Sequence, residues 1–186
     1  MTYAPVRAPD ETEKKLAAGI SCIRVSRDGR KLYAGLDYSL RQTVKSLLVH
    51  DLNEKGEPTG KPRLYKNGNP NSSIKDMLVH PSLDLLYTVG WGSAGIYAIQ
   101  LSKGEPSGDP VEYKTGSGGI FTILPNDRWD SLFLGSYPGI LEIVSLLPNG
   151  EIEVPKRRED YTYKAGASPN IYLQPARVGR CLYFAS

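Results

Sequence analysis

The chain has 186 residues, enough for one domain with a real core, and its 40% hydrophobic and 23% charged content describes a folded rather than a disordered polypeptide. No stretch approaches the roughly 18 apolar residues of a membrane helix, and the opening MTYAPVRAPDETEKK lacks the apolar centre of a secretory leader, so a cytoplasmic chain without membrane contact is expected. Net charge is only +3, and the one basic run, Lys156, Arg157 and Arg158, is followed at once by Glu159 and Asp160, which suits a solvated loop and not a nucleic-acid surface.

In chain order, the first candidate element is the stretch from Thr12 to Ala18, which reads as a strand although its residues also tolerate a helix. The chain then repeats itself. Four twelve-residue windows align without a gap: CIRVSRDGRKLY from Cys22, DMLVHPSLDLLY from Asp76, TILPNDRWDSLF from Thr122 and YLQPARVGRCLY from Tyr172. Each has an apolar start, a polar break of turn-forming residues and a Leu-aromatic close, the pattern of two short strands, A and B, joined by a tight turn. The closing aromatics Tyr33, Tyr87, Phe133 and Tyr183 are separated by 54, 46 and 50 residues.

A third apolar run, strand C, follows each complete pair: Leu47 to Leu52, Ile96 to Leu101 and Ile140 to Leu146. Its alternation is clearest in the second unit, where Tyr97, Ile99 and Leu101 point one way and Ile96, Ala98 and Gln100 the other. A Gly-containing turn comes next (Lys55-Gly56-Glu57, Lys103-Gly104-Glu105, Asn149-Gly150-Glu151), and Gly supplies the positive φ that such hairpins need. Strand D then ends in Tyr65-Lys66, Tyr113-Lys114 and Tyr163-Lys164, a pattern suited to a sheet edge with one half-buried face.

A four-stranded unit of about fifty residues that cannot bury its apolar face alone is the sequence signature of an all-β propeller. The expected organisation is a single β-propeller region over residues 1–186. Residues 1–19 supply strand D of a preceding or closing blade, 20–71, 72–118 and 119–170 are blades, and 171–186 are the first two strands of another. Three complete units and leftover strands predict a partial propeller. A small four-bladed ring and the pairing of two chains, self-associating through open blade edges, are the competing closures.

The segments VSRDGRKLYAG from Val25, VHPSLDLLYTVG from Val79, LVHDLNEKGEP from Leu48 and YAIQLSKGEP from Tyr97 resemble the lactonase-type, YVTN-like propeller repeats. That family includes bacterial 6-phosphogluconolactonases and fungal muconate-lactonising enzymes. The resemblance implies a seven-bladed ring and a lactone (carboxylic ester) hydrolase acting on or binding a small sugar-acid lactone. Other propeller classes match less well: the Trp-Asp close of WD40 blades is absent, and the Gly-Gly pair of kelch blades occurs once, at Gly118-Gly119. The alternative is a non-catalytic propeller that binds a ligand or a protein partner.

Residues recurring in every unit read as scaffold, so function is sought where the pattern breaks. Arg24 and Asp76, on inner strands, are the charged pair expected to hold an oxyanion and activate water. Asn71 and Asn170, in the loops from strand D to strand A, and Trp91, between Gly90 and Gly92, are the candidate ligand-binding residues. Asp37, Tyr38, Arg41 and Tyr137 lie in the same set of loops as Trp91. His80 precedes Pro81 at the opposite end and is expected to make a structural hydrogen bond. No paired His, phosphate-cradling Gly loop or nucleophile elbow occurs, so neither a metal nor a cofactor is expected. Cys22 and Cys181 read as free thiols.

Overall fold

The computed structural model describes residues 18–38, 45–68, 73–92, 95–115, 118–153, 163–164, 172–175 and 182–185, and every regular element among them is a β-strand. β1 (Ala18–Val25), β2 (Lys31–Tyr38), β3 (Lys45–Leu52) and β4 (Pro58–Lys66) form a four-stranded antiparallel sheet in chain order. β5 (Ser73–Val79), β6 (Leu85–Trp91) and β7 (Gly95–Ser102) repeat the arrangement, and the outer position is shared by β8 (Glu105–Pro106) and β9 (Val111–Lys114), both paired with β7. In the third sheet β10 (Ile120–Pro125), β11 (Ser131–Ser136) and β12 (Ile140–Leu146) are followed by β13 (Ile152–Glu153) and β14 (Tyr163–Lys164), again both on β12. β15 (Tyr172–Pro175) and β16 (Leu182–Ala185) pair as a final hairpin.

The four sequence windows are therefore the four A and B strands, in one register: Tyr33 lies opposite Arg24, Tyr87 opposite Leu78, Phe133 opposite Leu124 and Tyr183 opposite Gln174. The Tyr-Lys pairs end the outer strands as the sequence suggests. The outer strand itself, however, is broken in the second sheet, between β8 and β9, and in the third it is described only at β13 and β14. Ala18 and Gly19 belong to β1, and the remaining residues of the amino-terminal stretch lie outside the described residues.

Alternation places opposite faces of each sheet in different cores, as period-two geometry requires. Leu86, Ile99 and Leu101 join Ile74 and Met77 against Tyr33, Leu47 and Val49 of the first sheet. Tyr87, Val89, Ile96 and Ala98 pack instead against Ile120, Ile123, Leu132, Leu134, Val144 and Leu146 of the third. The A strands adjoin one another in sequence, β1 against β5, β5 against β10 and β10 against β15, so they share a common inner side.

Polar contacts at the turns repeat with the sheets. The residue after each of the first three A strands, namely Ser26, His80 or Asn126, donates its backbone N–H in the same bond across its turn, to the carbonyl of Lys31, Leu85 or Ser131, and also offers a side-chain acceptor there. Ser26 Oγ accepts from Lys31 N, His80 Nδ1 from Ser82 N and Leu83 N, and Asn126 Oδ1 from Asp130 N and Ser131 N. His80 is thus an uncharged turn former, with burial lowering its pKa and its ring edge-on to Trp129.

At the same end, strand B of one sheet is fastened to the C–D turn of the next. Tyr33 donates its hydroxyl to the Gly104 carbonyl at 2.9 Å, and Tyr87 does the same to Gly150 at 2.7 Å. Gly104 and Gly150 have φ of +76° and +85°, so the recurring Gly turns are needed both for their backbone shape and for the carbonyl they present.

Candidate functional site

The inner strands β1, β5 and β10 carry an irregularity at the same place, between Ile20 and Cys22, Ile74 and Asp76, and Ile120 and Thr122. A bulge adds a residue to one strand and re-aims the side chains around it, which is why bulges gather at functional edges. The extra residues are Ser21, Lys75 and Phe121. Each reaches across the joint between sheets. Ser21 Oγ donates to the Gly35 carbonyl at 3.0 Å and to the Ile74 carbonyl, Lys75 pairs with Asp37 at the end of β2, and Phe121 packs on Trp91 at the end of β6 with centroids 5.6 Å apart.

Trp91, Phe121 and Tyr137 form an aromatic cluster at the end of the sheets where strand A begins. Tyr137 meets Trp91 edge-on at 5.5 Å. Trp91 is 47% exposed and Tyr137 40%, so two large rings are held in water rather than in a core. Gly119 makes this possible: a Cβ there would lie 2.6 Å from the Trp91 ring, and its carbonyl accepts from Tyr137 N at 2.8 Å. The Gly118-Gly119 pair therefore lets the D-to-A connection pass beneath the rings.

Arg24 and Asp76 are brought together across the first two inner strands, with Nη2 and Oδ1 2.6 Å apart. Asp76 is buried and has further partners. Oδ1 accepts from Met77 N at 2.8 Å, and Oδ2 accepts from Thr122 Oγ1 and Ile123 N, both at 3.1 Å. Four donors from three inner strands thus converge on one carboxylate, two of them backbone N–H groups on strand edges that no neighbouring strand covers. Burial pushes the Asp76 pKa up, while Arg24 and the three other donors pull the other way. Arg24, with 39% of its side chain exposed, is the half of the pair that a solute can reach.

Cys22 occupies in the first sheet the place of Asp76 in the second. Its thiol is free, and burial together with the nearby Asp76 carboxylate pushes its pKa up to about 11, so it is not a nucleophile near neutral pH. Asn71, Asn170, Arg41 and Cys181 lie outside the described residues. Among the described residues no group of three His, Cys, Asp or Glu side chains could hold a metal ion, and no helix is long and apolar enough to cross a membrane. The sequence reading singled out Trp91 and named Tyr137 and Asp37, but it missed Lys75 and Phe121.

At the opposite end, Lys31, Asp51, Arg63 and Glu105 form a closed ionic network. Lys31 Nζ lies 2.5 Å from Asp51 and 2.6 Å from Glu105, and Arg63 lies 2.8 Å from Asp51 and 2.5 Å from Glu105. Tyr65 donates to Glu105 at 2.6 Å. Glu105 belongs to the second sheet and its partners to the first, so the network ties the C–D turn of one sheet to strands B, C and D of its neighbour.

No family model and no curated protein matches the sequence. Solved structures do. The periplasmic gluconolactonase of Pseudomonas aeruginosa superposes with a TM-score of 0.67 at 16% identity over 86% of this chain and 48% of its own. A provisionally assigned 6-phosphogluconolactonase of Bacteroides uniformis gives 0.61 at 11% identity, covering 90% of this chain and 44% of that one. Its counterpart from Bacteroides fragilis gives 0.55 at 12%, covering 96% and 60%. The fold is that of a β-propeller. The sheets are its blades, their A strands line its inner side, and the chain spans about half the length of the first two propellers it matches. The aromatic cluster stands on the rim of these blades, with the Lys75–Asp37 pair at the same end.

Proposed function

We propose that this chain forms part of a lactonase-like propeller that takes a small sugar-acid lactone at the rim. The sugar-ring face lies on Trp91 and Tyr137, and the carbonyl or acid oxygens turn toward the cations Lys75 and Arg24. The observation that carries this reading is the Trp91–Phe121–Tyr137 cluster with its exposed Trp91 and Tyr137 rings, held over Gly118-Gly119 at the same end of the sheets as the Lys75–Asp37 ion pair. Water-exposed rings backed by a rigid strand, with a few polar groups close by, are the usual makings of a small-ligand site. The solved propellers of similar fold include a gluconolactonase, which supports the choice of ligand class; fold alone does not fix function.

In hydrolysis Arg24 would stabilise the developing oxyanion, and Asp76 would act as its positioning residue. A carboxylate that already accepts from four donors has no lone pair left for water, which favours a second reading, binding without turnover. Titration with aldonic acid lactones, with and without a phosphate group, tests the proposal through Trp91 fluorescence and ester hydrolysis. The expected result is saturable quenching, abolished by Trp91→Ala and weakened about tenfold by Lys75→Met. Absence of quenching by every lactone would end the proposal. Quenching without hydrolysis would select the second reading.

A further inference from the structure

Two blade joints at the rim are lined by side chains of different kinds, although both are built from the same bulge. Phe121 meets Trp91 in the joint between the second and third blades, and Lys75 meets Asp37 in the joint between the first and second. Trp91 lies opposite Ser73, two residues before Lys75 in β5, so the exposed ring and the ion pair share one end of one blade.

The two halves of that ion pair are not equally accessible. The Asp37 side chain is 41% exposed and that of Lys75 only 23%. Lys75 Nζ bonds Asp37 Oδ2, and Asp37 Oδ1 has no donor among the described residues. A solute arriving at this joint therefore meets a carboxylate oxygen in front of an ammonium group whose charge is already balanced. Hydroxyl groups donate to such an oxygen, whereas a carboxylate or phosphate is repelled by it and would have to draw Lys75 away. Lys45, Lys66 and Lys114, the other described lysines at this end, stand exposed on strands C and D and would not neutralise a group seated at the inner strands.

We propose that Asp37 determines the specificity of the rim, accepting the hydroxyls of an uncharged sugar lactone and turning away both the open acid and any ligand that bears a phosphate. The inference rests on the lactone reading of the rim and narrows it to a neutral, unphosphorylated ring. Lys75 holds Asp37 in place and keeps N–H groups for the lactone carbonyl. In hydrolysis water adds to the carbonyl carbon, the ring C–O bond breaks, and the acid so formed loses its proton to solvent. The carboxylate that admits the neutral substrate thus favours the departure of the anionic product.

Rapid-mixing measurement of tryptophan quenching by gluconolactone, its 6-phosphate and gluconate tests this on the full chain, each lactone read before it opens. The parent should bind the neutral lactone at least about tenfold more tightly than either anion. Asp37→Asn keeps the shape and drops the charge, so it should weaken the neutral lactone about fivefold, tighten gluconate by about as much, and remove the preference, while Asp37→Glu keeps it. A purely structural part for the ion pair would weaken all three ligands by the same factor, and that result would overturn the proposal. So would a parent that takes gluconate or the phosphorylated lactone as tightly as the neutral one, an outcome that leaves the rim site itself standing. Absence of quenching by all three would overturn the rim reading and this inference together.

Discussion

Replacing Asp76 with Ala should reveal how much of the joint between three blades rests on one carboxylate. The substitution removes the acceptor for Arg24, Met77 N, Thr122 Oγ1 and Ile123 N together. Arg24 is exposed enough to return to water and the threonine hydroxyl can rotate, so their loss is small. The two N–H groups are fixed by the strands, and each buried donor left without a partner costs about 1–3 kcal/mol. The expected destabilisation is therefore about 3 kcal/mol, with Asp76→Asn near 2 kcal/mol because one amide oxygen keeps part of the set. Equilibrium unfolding in urea measures it, with the midpoint falling and the slope unchanged. A loss below about 0.5 kcal/mol would refute the reasoning, since only a carboxylate that carries little of the joint could be removed so cheaply.

Tyr87→Phe deletes the bond to Gly150 and should cost about 0.5–1.5 kcal/mol in the same assay while leaving the fold intact, because Phe133 already fills the matching position of the third blade. The ionic network predicts an acid transition. Arg63 and then Lys31 hold Asp51 well below the usual carboxylate range, and although burial raises Glu105, its bonds to Arg63, Lys31 and Tyr65 bring it below the ordinary value. Both carboxyls bind protons more weakly folded than unfolded, so their contribution is complete above the unfolded carboxylate values near 4 and is lost as pH falls below them. Thermal melts should show stability falling in that window. Salt at pH 7 should lower the melting temperature of the parent more than that of Glu105→Gln, because partly exposed pairs are screened.

Much of the fold was legible because a strand pair and its turn are local. Tyr33, Tyr87 and Phe133 announced themselves by spacing, and Ile96 and Ile99 declared opposite faces by alternation. The Gly-Glu turns read correctly as hairpins, but their second use, as receptors for a tyrosine one blade back, joins residues some 60 or 70 positions apart and leaves no local trace. The rim was half legible for the same reason. Trp91 broke the pattern visibly between two glycines, whereas Lys75 and Phe121 look like ordinary strand residues until a bulge turns them outward. Arg24 and Asp76 were picked out as the inner charged pair, yet the two backbone donors that fill the Asp76 carboxylate carry no signature in the sequence. The broken outer strand of the second blade arises from residues 107–110, which interrupt pairing without interrupting the Tyr-Lys ending.

The tyrosine-to-glycine fastening has a direction. The first two blades each carry a hook on the second strand, and each hook finds the eye on the third turn of its successor, whereas Phe133 leaves the third blade with the ring and without the hydroxyl. A duplication that inserts one more unit brings a matching hook and eye with it, so the scaffold can lengthen in steps of one repeat without any existing joint being redesigned.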